Sequence, residues 1–146
     1  MTSDPQKLSV LLVEDNAMEA DLTLRAFTRI NFINPVEILR DGAAVLELLE
    51  QWKTGASLPG LILLDINLPK VTGLEVLRKI KSTTQTSNIP IVVLTSSTNE
   101  SDIKFAYEYG ANSYIIKPVD YDKFVELVST LCYYWTALNV RPELSR

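Results

Sequence analysis

The sequence predicts an α/β fold: five parallel strands alternating with five helices, with helices packed on both faces of the sheet. Three observations lead there. Short apolar runs recur along the chain with helical patterns between them. The runs are apolar at nearly every position, as strands covered on both faces must be. Four of the runs also stop at a polar group with chemistry of its own. Residues 8–13 stop at Glu14-Asp15, 61–64 at Asp65, 91–94 at Thr95, and 114–116 at Lys117-Pro118. In parallel strands those stops share one sheet edge, an arrangement that folding does not require.

The elements follow in order. After the first strand, Ala17, Ala20, Leu24 and Phe27 recur at helical spacing. Residues 35–39 read as the second strand, closed by Asp41-Gly42. Val45, Leu48, Leu49 and Trp52 mark the second helix, which ends before Gly55, and Leu58-Pro59-Gly60 turns into the third strand. Leu74, Leu77 and Ile80 mark a third helix that gives way to a polar loop over residues 82–87. Pro90 opens the fourth strand. Asn99 is the expected N-cap of a helix carrying Ile103, Ala106 and Tyr107, with Gly110 at the left-handed position beyond its end. Asp120 caps a last helix running to about residue 138.

At 146 residues, 47% hydrophobic and 22% charged, the chain has the size and composition of one globular domain. It is read as a single domain over 1–146, with residues 1–7 a flexible N-terminus and 139–146 a C-terminal tail. A net charge of -4 argues against a nucleic-acid-binding surface. The polar N-terminus lacks a signal peptide's apolar core, and no apolar stretch approaches the roughly 18 residues of a membrane span. The lone Cys132 fits a reducing compartment and makes neither an internal disulfide nor a zinc site. These features predict a cytoplasmic protein without a membrane or nucleic-acid partner.

Glu14, Asp15 and Asp65 repel one another when ionised at close range, so one takes a proton or a cation neutralises them. An all-oxygen site with open positions suits Mg²⁺, or Mn²⁺ in its place. The backbone carbonyl of Asn67, two residues past Asp65, offers a further oxygen. A metal there attracts an anion such as phosphate, which Lys117 meets as a point charge and Thr95 as a hydrogen-bond donor. The set supplies a nucleophile, charge shielding and two donors for phosphoryl oxygens, which is most of what phosphoryl transfer asks of a protein. The chain contains no histidine, so it cannot itself be a phosphohistidine donor; it can only receive. Taken singly, these residues have plainer readings. An acidic pair after a strand commonly marks a helix N-terminus, Asp65 a turn, Lys117 a solvated cation, and Thr95-Ser96-Ser97-Thr98 a polar loop. Their joint placement at strand ends is what favours a site.

Val13-Glu14-Asp15, Leu64-Asp65-Ile66-Asn67-Leu68-Pro69, Leu94-Thr95-Ser96 and Lys117-Pro118 resemble the signature of the two-component receiver domain, the response-regulator family, over roughly residues 8 to 130. The resemblance implies a flavodoxin-like (βα)5 doubly wound parallel sheet with strand order 2-1-3-4-5. It implies that Asp65 accepts a phosphoryl group from a sensor histidine kinase. Glu14, Asp15, Asp65 and the Asn67 carbonyl would hold Mg²⁺, and Thr95 and Lys117 would bind the phosphoryl oxygens. Tyr114, by itself most simply a packed strand aromatic, would be the switch residue whose ring turns inward when Thr95 moves. A cis peptide bond would join Lys117 to Pro118. Glu14 stands where Asp is commoner in the family.

A narrower resemblance, to the single-domain regulators that partner cyanobacterial phytochromes, rests on three features. They are the lack of an output domain, the long loop after Ser82, and the run Cys132-Tyr133-Tyr134-Trp135. It implies a phytochrome-type kinase as partner and output by contact with another protein. The last helix also carries more apolar surface than one sheet face needs. Phe124, Val128, Leu131 and Trp135 form one stripe, which Leu127, Tyr134 and Leu138 widen. The excess predicts a homodimer through the C-terminal helix region, with Phe124, Leu127, Tyr133, Tyr134 and Trp135 in the interface. The competing expectation is a tail folded back over its own domain.

Three other functions compete. A magnesium-dependent hydrolase with an Asp nucleophile needs a second acid two residues on, where Asn67 stands. A flavodoxin-like cofactor binder needs a Ser/Thr/Gly-rich phosphate loop where Glu14-Asp15 would repel the phosphate. A phosphorylation-independent interaction module would keep the fold and bind its partner equally with and without a phosphoryl group. The phosphoacceptor reading itself predicts no enzyme beyond phosphotransfer and self-dephosphorylation.

Overall fold

Alternate residues of a strand point to opposite faces, and in these strands both sets are apolar, so both faces must be covered. In the computed structural model, which describes residues 8–142, they are. Strands β1 (Val10–Val13), β2 (Val36–Leu39), β3 (Leu61–Leu64), β4 (Ile91–Thr95) and β5 (Ser113–Ile116) form one parallel sheet in the order β2-β1-β3-β4-β5. Between them run α1 (Ala17–Arg29), α2 (Gly42–Lys53), α3 (Gly73–Ser82) and α4 (Glu100–Glu108), and α5 (Tyr121–Tyr133) follows β5. This is the expected doubly wound fold and strand order.

On one face Leu11, Val13, Ile62, Leu64, Ile91 and Val93 pack with Val45, Trp52, Val76, Ile80 and Ala106 of α2, α3 and α4. On the other, Val10, Leu12, Leu61, Leu63, Val92 and Leu94 pack with Ala26 and Phe27 of α1 and Phe124 and Val128 of α5. Each fully buried aliphatic side chain contributes about 1.5–3 kcal/mol by area. The strand order reverses between β1 and β3, which opens a crevice beyond their carboxyl ends.

Asn99 and Asp120 cap α4 and α5 as expected, and Asn16 and Asp41 do the same for α1 and α2. Thr72 and Glu75 cap α3 reciprocally, each side chain bonding the other's backbone N–H. Gly110 ends α4 at φ +105°, a conformation that a Cβ would strain.

The structure corrects two expectations, at the Lys117–Pro118 bond and at Phe124. The polar loop expected after Ser82 is present, as a run of turns tied down by hydrogen bonds. Thr86 is fully buried and its hydroxyl donates to the Ile80 carbonyl at 2.6 Å. The Lys81 ammonium donates to the carbonyls of Ser87 (3.1 Å) and Ile89 (2.7 Å). The bond from Lys117 to Pro118 is trans, since the described residues contain no cis peptide; trans is the ordinary form even before proline.

Phe124 is a core residue at 3% exposure, because its stripe faces α1 and the sheet; it is not available to a second chain. Leu127 is half-buried and Trp135 leans on the same core, while Tyr133 and Tyr134 stay about half exposed (50% and 47%). α5 continues into a π-helical turn, Tyr134–Leu138, so helical backbone ends near the expected residue. The tail then folds back far enough that the Arg141 guanidinium crowds Gly60. Residues 1–7 and 143–146, the first read as flexible and the second as part of the tail, lie outside the described residues. No helix among the described residues is long and apolar enough to cross a membrane.

Candidate functional site

The sheet ladder itself sets the site. Beyond the last residue of β1, the Glu14 N–H bonds the Leu39 carbonyl of β2 at 3.0 Å. The Asp65 N–H bonds Val13 of β1 at 3.1 Å, and the Lys117 N–H bonds Thr95 of β4 at 2.8 Å. Each polar residue at a strand tip is thus fixed by its neighbouring strand before its side chain does anything. Behind Asp65, α3 begins with Gly73, and a Cβ there would lie 2.4 Å from the Asp65 carbonyl oxygen and 2.3 Å from the Ile66 Cα.

The side chains converge. Lys117 Nζ donates to Asp65 Oδ2 at 2.7 Å, to Glu14 Oε1 at 2.8 Å and to Glu19 Oε1. Asp65 Oδ1 accepts from the Asn67 backbone N–H at 2.9 Å, and Glu14 Oε2 accepts from that of Asn16 at 3.1 Å. Glu14, Asp65 and Lys117 are all buried, at 3%, 5% and 8% exposure. Burial, joined by the charge of Asp65, holds the Glu14 carboxyl above its ordinary pKa against the pull of the Lys117 ammonium. For Lys117, burial works against the charge, but hydrogen bonds to Asp65, Glu14 and Glu19 outweigh it and raise the pKa above the usual lysine value.

Thr95 is fully buried beside them. Its hydroxyl oxygen accepts from Asn67 Nδ2 at 3.3 Å and from the Ser97 N–H at 3.4 Å. Tyr114 OH donates to the Ser97 carbonyl at 2.9 Å, and Ser97 Oγ donates to Asp102 at 2.6 Å. Burial raises the Tyr114 pKa, so the ring keeps its proton for that bond.

Glu14, Asp65, Asn67, Thr95, Tyr114 and Lys117, all singled out in the sequence, are therefore joined in one hydrogen-bond network. Asp15 is exposed and is not among the acids whose oxygens lie within 4.8 Å of one another; those are Glu14, Asp65 and Glu19. Glu19 is the residue that sequence reading missed. Its N–H is the one Asn16 caps, at 3.0 Å, which starts α1 so that residue 19 falls in the first turn. Side chains in a helix lean toward its N-terminus, so Glu19 reaches back over the strand tips. An acid in a first turn ordinarily reads as a response to the helix dipole, and its closeness to Glu14-Asp15 was the signal available. Three acidic oxygen donors against one ammonium leave a surplus of negative charge that a hard divalent cation fits.

Residues 10–129 match the response regulator receiver domain. FilR2 of Methanothrix harundinacea, described as a probable methanogenesis regulatory protein, is 45% identical over 134 residues, covering 91% of this chain and 86% of that protein. Response regulator Rcp1 of Synechocystis sp. is 37% identical over 135 residues, 91% of each chain. The Mn²⁺-bound crystal structure of Rcp1 shares the fold with a TM-score of 0.86 at 35% identity, over 93% of this chain and 99% of that one. The phosphorylated cyanobacterial phytochrome response regulator RcpA gives 0.88 at 36% identity, over 94% and 100%. With the sequence match running from β1 into α5 and the same strand order in those structures, this chain belongs to the response regulator receiver family of two-component signalling.

Proposed function

We propose that Asp65 is the phosphoacceptor of a histidine-kinase pathway, and that the kinase is of the phytochrome type. The observation that carries the reading is the buried Asp65 carboxylate, bonded to Lys117 at 2.7 Å within a cluster of acids that has a surplus of charge. The P–N bond of the kinase's phosphohistidine breaks as a P–O bond to Asp65 forms; the imidazole keeps the electron pair and takes up a proton. Glu14, Asp65 and the Asn67 carbonyl, with the exposed Asp15 beside them, would hold Mg²⁺, or Mn²⁺, which when bound would supply positive charge toward the oxygens of a phosphoryl group. Lys117 donates to one of those oxygens. The Thr95 hydroxyl already accepts two N–H groups, so its own proton is free to reach another. A shift of Thr95 is felt at Ser97 and, through it, at the Tyr114 hydroxyl. The phytochrome partner is supported by the name of a structure this chain resembles, the cyanobacterial phytochrome response regulator RcpA.

Output runs through contact with other proteins, supported by the exposed Phe105, Tyr107, Ile116, Val119 and Tyr121 around α4, β5 and α5. A homodimer through Tyr133, Tyr134, Leu127 and Trp135 belongs to the same proposal, now without Phe124, as does a cytoplasmic location and a role confined to phosphotransfer and self-dephosphorylation. Incubation with acetyl phosphate and Mg²⁺ tests the acceptor: wild type labels, whereas Asp65→Asn and chelator-treated wild type do not. Equal labelling of Asp65→Asn would end the assignment. Light scattering during size exclusion, with and without the phosphodonor, tests the dimer; a monomer mass in both states rejects it.

A further inference from the structure

An ammonium has three N–H donors, and in Lys117 all of them are taken, by Glu14, Asp65 and Glu19. This inference rests on the phosphoacceptor reading above. A phosphoryl group at Asp65 takes over the N–H that Asp65 Oδ2 holds. It brings further oxygens and more negative charge into a group of acids whose oxygens lie within 4.8 Å of one another, so one of the other two carboxylates gives way. Glu14 is the wrong one to release. Its side chain is 5% exposed, and freeing it would leave a buried, unpaired charge. Glu19 is 35% exposed and reaches Lys117 from α1 rather than from a strand tip, so water can take the lysine's place. The incoming group is itself negative and repels the nearby carboxylate.

We propose that Glu19 is a positioning residue that occupies the third N–H of Lys117 in the resting protein and is expelled when Asp65 is phosphorylated. The expulsion is delivered to α1. The Glu19 N–H is held by the Asn16 side chain at 3.0 Å, and its carbonyl accepts the Thr23 hydroxyl at 2.9 Å. A displaced Glu19 therefore disturbs both the helix cap and the next turn. Thr95, Ser97 and Tyr114 lead toward the face of the sheet that carries α2, α3 and α4, whereas α1 packs with α5 on the opposite face. Phosphorylation then has two exits, one on each side of the sheet.

The test compares the full-length wild type with Glu19→Ala and Glu19→Gln, using acetyl phosphate and Mg²⁺. Alanine frees the N–H and removes the charge; glutamine removes the charge and keeps an oxygen acceptor. The expected labelling rates are about fivefold above wild type for alanine and an intermediate rise for glutamine. Backbone amide NMR supplies a readout that mere stability does not move. Phosphorylation should shift the Asn16, Glu19 and Thr23 amides in wild type. In Glu19→Ala the Asn16 and Thr23 shifts should vanish while that of Ser97 remains. If alanine does not fold, judged by its thermal melt, the glutamine variant carries both measurements. Wild-type labelling rates in the variants, or Thr23 shifts that persist in them, overturn the inference and leave the acceptor assignment standing. Failure of wild type itself to label overturns both.

Discussion

Two lysines are drawn out of water at opposite edges of this sheet, and they are kept there in opposite ways. Lys117, beyond the carboxyl end of β5, meets three carboxylates, and its pKa rises. Lys81, at the end of α3 where Ile89 leads into β4, meets two backbone carbonyls and, among the described residues, no carboxylate. Burial lowers its pKa to about 8. Lys81 is what folding asks of a half-buried cation: two of its three donors hold backbone carbonyls and it ties down a loop. Lys117 has more acid around it than its own neutralisation requires. The surplus, rather than the burial, marks the functional edge.

The comparison can be broken most decisively at Lys117. Lys117→Met strands buried Glu14 and Asp65 without a counter-charge, and a loss of about 3 kcal/mol is expected in chelator by denaturant titration. Added Mg²⁺ should restore more of that loss than it adds to wild type. A variant as stable as wild type in chelator would show that the acids are not in surplus. A smaller effect is expected on the other edge from Gly110→Ala. There φ is +105° and a Cβ would press the Lys81 stem at 3.0 Å, for a cost of about 1–2 kcal/mol in the same titration. The smallest is a pH dependence. The folded pKa of Lys81, about 8, lies below its ordinary 10.5, so the unfolded chain binds that proton more tightly. Stability from this group therefore rises with pH between those values and is flat below them, by about 1 kcal/mol once solvent around the half-buried amine is allowed for. Lys81→Met should lack that rise; a rise of the same size in the variant would assign it elsewhere.

The sheet and most of its site were legible because both are written at strand ends. Apolar runs fix the strands, and a parallel sheet carries whatever follows each run to one edge, so Glu14, Asp65, Thr95 and Lys117 could be read together. What escaped depends on side chains that reach across elements. Glu19 sits in a helix, where an acid has an ordinary explanation. Thr86 lies in a run of Ser, Thr and Gln, yet only its hydroxyl turns inward to the Ile80 carbonyl. Phe124 belonged to a stripe broad enough to face either its own core or a partner, and periodicity alone does not choose between them. The exposure of Asp15 was likewise beyond sequence: of two adjacent acids at a strand tip, Glu14 is buried and Asp15 is exposed.

Gly73 gives Asp65 a stiff bed. With no side chain between them, the start of α3 lies directly on the backbone of Asp65 and Ile66, so the backbone that carries the proposed acceptor has almost no slack. Whatever recoil follows the arrival of a bulky anion must be absorbed by the more compliant partners that grip it, the long arms of Lys117 and Glu19 and the loop beyond Thr95. An immovable seat beside yielding fingers turns an added charge into motion at a distance.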